Sequence, residues 1–191
     1  MTYPLRIELP GGAYHVNVKA VDGCKAFRDD EDRFSFLRLL GLELERSRWT
    51  LLAYSLMGTH YHVLVRVSDG LSSGFQRLNG GHARTFNRHH RRRGALWQRR
   101  FHDVLVETDF HLLESVRYIA LNAVRAGICE RSEDYPWCSY GAVIGTHPPD
   151  PIVNEAELLG LFGTTRGRAR QRLREFVEEG DLRRRRALLR P

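Results

Sequence analysis

The sequence is short of cysteine and of long apolar segments, and each shortage excludes a class of protein. Its three cysteines, Cys24, Cys129 and Cys138, form no Cys-x-x-Cys pair, so their spacing indicates neither a disulfide framework nor a zinc ribbon. No apolar run approaches the roughly 20 residues that a membrane-spanning helix needs. Residues 1–6 lack the charged and then apolar layout of a signal peptide. We therefore expect a cytoplasmic protein with no membrane partner.

Lysine is almost absent as well. The only lysines are Lys19 and Lys25, yet the formal net charge is +7, so arginine supplies nearly all of the positive charge. A guanidinium grips a phosphate with two hydrogen bonds, which suits a nucleic-acid partner. A GC-rich genome would also favour arginine, but clustering is typical of a surface that follows a phosphate backbone. Clusters lie at 166–174 and 183–186, and the densest holds the residues expected to bind DNA: Arg84, Arg88, Arg91, Arg92, Arg93, Arg99 and Arg100.

The order of predicted elements indicates the fold class. With 191 residues, 42% of them hydrophobic, the chain is long enough for one folded domain with a substantial core. Periodicity predicts strands at 13–19, 49–56, 60–67 and 97–106, and helices at 30–46, 71–90 and 108–125. This order predicts an α+β fold in which helices pack on an antiparallel sheet.

A proline-rich segment divides the chain. Residues 146–151 read THPPDP and are expected to form a linker. We expect residues 1–145 to form the main domain and residues 152–191 to form a small, basic, helical C-terminal extension. Its arginines suit an accessory contact to nucleic acid, and a solvated helical tail is nearly as compatible with them.

Two histidines near the start of the third predicted strand form the first candidate site. Side chains alternate along a strand, so His60 and His62 point the same way, with Cα atoms about 6–7 Å apart. Two imidazoles at that spacing can bind one metal ion. The spacing by itself is equally typical of a polar face on an edge strand.

The third predicted helix adds a polar stripe. At about 100° per residue its apolar side chains fill one arc, and Tyr118 lies opposite that arc together with Asn122. Two imidazoles and the Asn122 amide oxygen can hold a divalent cation, Mg²⁺ or Mn²⁺. The Tyr118 phenol oxygen can then attack a phosphodiester and form a covalent phosphotyrosine.

Four segments carry a resemblance to a known family. In chain order they are YSLMGTHYHVLV (54–65), FNRHHRRRGALWQRRF (86–101), RYIALNAVRAG (117–127) and DYPWCSY (134–140). At these segments the chain resembles the single-tyrosine (Y1) transposases of the IS200/IS605 type, within the HUH endonuclease superfamily. It is most similar to the branch called REP-associated tyrosine transposases, and the resemblance covers about residues 10–145.

The resemblance implies a fold, a chemistry and a role for each site residue. It implies a ferredoxin-like core, with His60 and His62 as the metal pair, Asn122 as the third ligand and Tyr118 as the nucleophile. Family members cut single-stranded DNA beside palindromic repeats folded as hairpins and leave a 5′-phosphotyrosine. A single-stranded DNA with such hairpins is therefore the expected partner, and either a monomer or a homodimer is compatible with the sequence.

The chain departs from the family pattern at two places beside the site. Gly58-Thr59 stands where the family usually has Pro-Asn, and Ala123 stands where it usually has proline. We expect the glycine to loosen the start of the histidine strand. We expect the alanine to let the Tyr118 helix continue where proline would bend it.

Two other functions are also compatible with the sequence. The chain could be a domesticated protein that binds hairpins without cutting them, or a hydrolytic metallonuclease that uses activated water.

Phe86 and Trp97 stand among the arginines, as expected where bases stack, while Phe101 fits a strand core. For His15 we expect a surface role, although its face of the first strand could bring it near the metal site.

Overall fold

A four-stranded antiparallel sheet lies at the centre of the computed structural model, which describes residues 8–188, with side chains through residue 181. The side chains of the predicted cluster at 183–186 lie outside the described set. The strands are β1 (Gly12–Lys19), β2 (Thr50–Leu56), β3 (His60–Val67) and β4 (His102–Val106), in the order β2-β3-β1-β4. The two central strands are thus β3 and β1, and their register pairs His15 with Leu64, Asn17 with His62 and Lys19 with His60. The α+β class is confirmed.

Helices surround the sheet. They are α1 (Asp30–Ser47), α2 (Leu71–His89), α3 (Asp109–Ala120), α4 (Asn122–Arg125), α5 (Tyr140–Ile144), α6 (Glu155–Gly160) and α7 (Arg166–Leu188). Helix α1 begins where predicted because the Asp29 carboxylate accepts a hydrogen bond from the Asp32 N–H and so caps its first turn. Among the described helices, none is both long and apolar enough to cross a membrane.

The two faces of the sheet carry separate cores. On one face, α1 and α2 cover alternate strand residues, which are Tyr14, Val16, Val18, Tyr61, Val63 and Val65. On the other face, α3 packs against Ala13 and Leu64, and the histidines of β3 share this face because side chains alternate along a strand. The sheet therefore separates the histidine pair from α1 and α2.

The helix that carries Tyr118 does not continue straight through Asn122. It is interrupted at Leu121, whose φ of −84° and ψ of 0° end α3 before the four-residue α4 begins. The expectation of an unbent helix was wrong, even though alanine replaces proline at position 123. Leu121 itself is buried in the core shared with α3.

The last strand starts later than predicted. β4 spans His102–Val106, whereas Trp97 contributes only an isolated bridge to Ala20. The intervening Gln98, Arg99 and Arg100 are consecutive exposed polar residues with no apolar alternation, and they form a bend. A half-buried strand needs that alternation.

Residues after 145 pack on the body of the protein. The proline-rich segment is held to β2, since the Tyr54 hydroxyl donates to Asp150 at 2.7 Å and the Asn154 N–H donates to the Leu51 carbonyl at 2.8 Å. Apolar residues of the extension share one buried cluster with α3, and they are Leu158, Leu159, Phe162, Ala169, Leu173 and Val177. The described part of the extension thus completes the core behind α3.

Helix α7 also holds α3 directly beside Tyr118. The Arg117 guanidinium donates to the Phe176 carbonyl at 3.0 Å, and its central carbon lies 3.5 Å from the centre of the Phe176 ring. Arg117 also pairs with Glu114 at 2.8 Å. These contacts fix the turn of α3 that presents Tyr118.

Candidate active site

Strand β3 and helix α3 bring three predicted site residues together on one face of the sheet. The ring centres of His60 and His62 are 5.2 Å apart, and the Tyr118 ring centre lies 5.2 Å from that of His62. His60 is hydrogen-bonded to the Asn122 side chain. The three predicted metal ligands and the predicted nucleophile therefore belong to one cluster within a single chain.

His15 is a member of the same cluster, contrary to the surface role expected for it. Its Nε2 lies 3.0 Å from His62 Nδ1, and its ring centre lies 5.6 Å from that of Tyr118. The β1–β3 register explains this, because Asn17 is opposite His62 and His15 is its diagonal neighbour on the same face. We call His15, His60 and His62, with Tyr118 and Asn122, the active-face cluster.

Thr59 and its neighbours hold the first histidine in place. The Thr59 hydroxyl lies 3.1 Å from His60 Nδ1. The preceding turn is also tied down, since the Ala26 N–H donates to the Gly58 carbonyl at 2.8 Å and the Ala20 N–H donates to the Thr59 carbonyl at 2.8 Å. The expected loosening by Gly58 was therefore wrong, because hydrogen bonds from other segments restrain the turn.

The two strand histidines make equivalent contacts through the same ring atom. His60 Nδ1 faces the Thr59 hydroxyl, and His62 Nδ1 faces His15. When the Nδ1 atoms carry the ring protons, each Nε2 keeps a lone pair. Partners of this kind fix the tautomer and orientation of metal-binding histidines.

Burial keeps these imidazoles neutral. Loss of solvent lowers the pKa of His62 to about 3, and the neighbouring His15 and His60 add to the decrease. Burial likewise lowers the pKa of His15 to about 4, with smaller contributions from His111 and His102. The pKa of His60 is also lowered by burial, although its hydrogen bond to Asn122 opposes the change. Neutral imidazole is the form that binds metals.

Tyr118 combines a fixed backbone with an accessible side chain. It is 41% exposed, while its neighbours Arg117 and Ile119 are buried. The guanidinium carbon of Arg125, on α4, lies 5.0 Å from the centre of the Tyr118 ring. A phosphate that reaches the phenol oxygen would therefore approach a positive charge as well.

The donor set fits a divalent cation. Two neutral imidazoles and one amide oxygen from Asn122 supply nitrogen and oxygen ligands, and the hydrogen bond between His60 and Asn122 brings two of these donors together. Fewer than six protein ligands would leave positions for a substrate oxygen.

The predicted DNA-binding arginines lie in a different part of the structure. Arg84 and Arg88 are exposed on α2, which covers the opposite face of the sheet. Arg91 and Arg93 are exposed in the turn after α2, and Arg99 and Arg100 are exposed in the segment that leads into β4. That segment passes the histidine end of the sheet, where the Val21 N–H donates to the Leu96 carbonyl.

Arg92 differs from the other arginines of this group. Its guanidinium donates to Asn87 Oδ1 at 3.1 Å, to the Gly94 carbonyl at 3.2 Å and to the Ala95 carbonyl at 2.7 Å. These contacts stabilise its own turn. The expected DNA contact by Arg92 stays a prediction that competes with this structural role.

The aromatic residues among the arginines are not all available to bases. Phe86 and Phe101 are buried, and the Trp97 indole N–H donates to the Asn79 carbonyl while its ring packs edge-on against Tyr61. In contrast, Phe110, at the start of α3, is 73% exposed. Sequence analysis overlooked Phe110 because an apolar residue at a helix start has no distinguishing pattern.

Sequence analysis also missed two histidines beside the cluster. Asn17 Nδ2 lies 3.4 Å from His102 Nδ1, and both His102 and His111 are close enough to affect the pKa of His15. Only the pairing of β1 with β4 brings His102 here, so local sequence contained no signal for it.

Comparisons with known proteins found similarity in sequence and in fold. No model of a known protein family matches the chain. A Haemophilus influenzae protein named a REP-associated tyrosine transposase is 25% identical to this chain over 142 residues, or 68% of this chain and 80% of that relative. A solved structure of a REP-associated tyrosine transposase bound to a REP hairpin matches with a TM-score of 0.66 at 16% identity, over 78% of this chain and 89% of that one. The chain is thus similar in sequence to one protein named a REP-associated tyrosine transposase and shares the fold of another.

Proposed function

We propose that this protein is a metal-dependent single-stranded DNA endonuclease and strand transferase of the HUH single-tyrosine type. It would cleave next to hairpins of palindromic repeats through a covalent 5′-phosphotyrosine. The observation that carries the proposal is the convergence of His60, His62 and Asn122 with Tyr118 in one chain. The named relatives support the transposase family and the hairpin as the class of partner.

Each side chain of the active-face cluster has a part in this chemistry. His60, His62 and Asn122 would hold Mg²⁺ or Mn²⁺, which when bound polarises a phosphodiester and offsets its charge. The Tyr118 oxygen forms a bond to phosphorus while the bond from phosphorus to the departing 3′ oxygen breaks. The phenol loses its proton, and the departing strand ends in a 3′ hydroxyl. Because the phosphotyrosine keeps a phosphodiester bond, the same site can rejoin ends by the reverse step.

Thr59 and His15 would act as positioning residues for the metal pair. Both occupy the Nδ1 side of a histidine and leave Nε2 for the cation. Arg125, near the Tyr118 ring, would attract the phosphate to the nucleophile. Because the cluster is assembled within one chain, a monomer suffices for cleavage.

The basic segments would hold the rest of the substrate. The exposed arginines at the end of α2 and before β4 suit the phosphates of a DNA hairpin or its flanking strand. Residues 1–145 would then form the catalytic domain, with 152–191 as a basic helical extension that supports α3.

A covalent-adduct assay tests the proposal. Oligonucleotides with palindromic repeats from beside the gene are incubated with the protein and Mn²⁺, then run on a denaturing gel. We expect a protein–DNA adduct in the wild type and in Tyr140→Phe, a buried tyrosine outside the cluster, and none in Tyr118→Phe. An adduct with Tyr118→Phe would contradict the proposal. Cleavage without an adduct would identify a hydrolytic metallonuclease, and binding without cleavage a hairpin-binding protein.

A further inference from the structure

A second group of metal-binding side chains lies where the start of α1 meets the end of α2. Asp29, Asp32, His89 and His90 each offer one ligand atom, and these four atoms lie within 4.8 Å of one another. We call them the helix-end cluster. It belongs to the α1–α2 layer, on the opposite side of the sheet from the active-face cluster.

The distances in this cluster are close to those of a coordinated cation. His90 Nε2 lies 2.8 Å from Asp32 Oδ2 and 3.9 Å from Asp29 Oδ2, and His89 Nε2 lies 3.4 Å from Asp29 Oδ2. Ligands in a tetrahedral zinc site, with bonds of about 2.0–2.2 Å, are about 3.4 Å apart. The separations run from 2.8 Å to at most 4.8 Å, so atomic shifts of up to about 1 Å would bring the four atoms around one ion.

Both carboxylates are held in place by the backbone. Asp29 accepts a hydrogen bond from the Asp32 N–H at 2.9 Å, and Asp32 accepts one from the Arg28 N–H at 2.8 Å. The Asp32 side chain is only 3% exposed and that of His90 12%, whereas His89 and Asp29 are open to solvent. The cluster therefore has a fixed, buried half and an accessible half through which an ion can enter.

The ligand types favour one class of metal. Two imidazole nitrogens and two carboxylate oxygens in tetrahedral reach suit Zn²⁺ better than Mg²⁺, which prefers six oxygens. Two carboxylates also balance the double charge of the ion. We propose that the helix-end cluster is a structural site for Zn²⁺ or a similar divalent transition-metal ion.

The position of the cluster defines what the ion would do. His90 directly precedes Arg91, whose φ of 48° starts the tight turn that carries the exposed arginines. A cation shared by α1 and α2 would link the base of this turn to the rest of the layer. Ordinary ion pairs between the same residues would link it more weakly, because they require protonated histidines.

Zinc titration of the full chain against a chromophoric chelator tests the proposal. The double variant His89→Gln/His90→Gln is expected to lose one tightly bound zinc equivalent relative to the wild type. The His60→Gln/His62→Gln variant, changed at the other cluster, and His147→Gln, outside both, are expected to keep that equivalent. If the His89→Gln/His90→Gln variant binds zinc like the wild type, the cluster holds ion pairs only and the proposal is overturned.

A milder variant controls for the possibility that the double variant fails to fold. Asparagine caps a helix as well as aspartate does, so Asp29→Asn keeps the start of α1 while removing one carboxylate ligand. We expect zinc affinity at this site to fall at least about tenfold in Asp29→Asn with an unchanged melting temperature in chelator. Unchanged zinc affinity in this folded variant would also overturn the proposal.

Tryptic cleavage of the arginine turn gives a second measurement. Zinc is expected to slow cleavage after Arg91 and Arg93 in the wild type and in His60→Gln/His62→Gln. It should leave the rate unchanged in His89→Gln/His90→Gln. Equal protection of all three proteins would show that zinc acts elsewhere, and would contradict the proposal that an ion in the helix-end cluster stabilises the arginine turn.

Discussion

The active-face cluster and the helix-end cluster lie on opposite sides of the sheet and surround their histidines differently. Among the described residues, the histidines of the first have other imidazoles, a hydroxyl and an amide as hydrogen-bond partners. The histidines of the second face two carboxylates. The first cluster therefore keeps neutral imidazoles and would leave coordination positions of a bound ion open, as the proposed cleavage requires. The second offers a closed and charge-balanced ligand set, as a structural ion requires.

The largest expected effect follows from replacing both His60 and His62. In His60→Gln/His62→Gln we expect Mn²⁺ binding at the active face and the covalent DNA adduct to be lost, because weaker amide oxygens replace both imidazole ligands. Isothermal titration with Mn²⁺ measures the first loss and a denaturing gel the second. The matched variant Asp29→Asn changes the other cluster and should retain both. Mn²⁺ binding that survived in the double variant would place the metal elsewhere.

A smaller effect is expected from the residues that position the pair. His15→Ala removes the partner of His62 Nδ1 and should weaken Mn²⁺ binding about 10–100-fold, as losses of such partners do in other metal sites. Thr59→Val should act in the same direction through His60. The variant His15→Gln, whose amide can still hydrogen-bond, is expected to recover part of the affinity. If His15→Ala binds Mn²⁺ like the wild type, the contact has no positioning role.

The buried histidines of the active face predict a pH dependence of stability. The pKa of His15 is about 4 when folded and near 6.5 when unfolded, so between these values the unfolded chain binds the extra proton. Acidification from pH 6.5 towards pH 4 should therefore lower the free energy of unfolding, with His15 contributing on the order of 1–3 kcal/mol. Urea unfolding at pH 7, 6 and 5 measures the slope. The slope should be shallower in His15→Gln, and an unchanged slope would contradict the assignment.

The smallest effect distinguishes two arginines near the helix-end cluster. Arg88 is exposed on α2, so Arg88→Ala should reduce by about 1 the slope of log affinity for hairpin DNA against log salt. Arg92 is bonded within its own turn, so Arg92→Ala should mainly lower the free energy of unfolding, by about 1 kcal/mol. Filter binding at several salt concentrations and urea unfolding separate the two results. Equal salt slopes in both variants would contradict the assignment of a DNA contact to Arg88 and a structural role to Arg92.

Much of the site was predictable from local periodicity. Alternation along 60–67 puts His60 and His62 on one face, and the apolar arc of α3 leaves Tyr118 on the side away from the core. Both patterns depend only on the repeat of a single element. The strand β3 was accordingly predicted with the bounds that the structure has.

Other features depend on packing between distant segments. The restraint on Gly58 comes from N–H groups of residues 26 and 27. The role of His15 depends on which strand lies beside β3. None of these contacts joins neighbours in sequence, so no local pattern could predict them.

By itself, the sequence determined the α+β class, the shared face of the two histidines and the side of α3 on which Tyr118 lies. It also determined that arginine, and not lysine, supplies nearly all of the positive charge. Only the tertiary structure decided that His15 contacts His62, and that two aspartates at the start of α1 meet two histidines at the end of α2. The physical reason is that periodicity fixes which residues share a face of one element, while strand order and helix packing decide which faces meet.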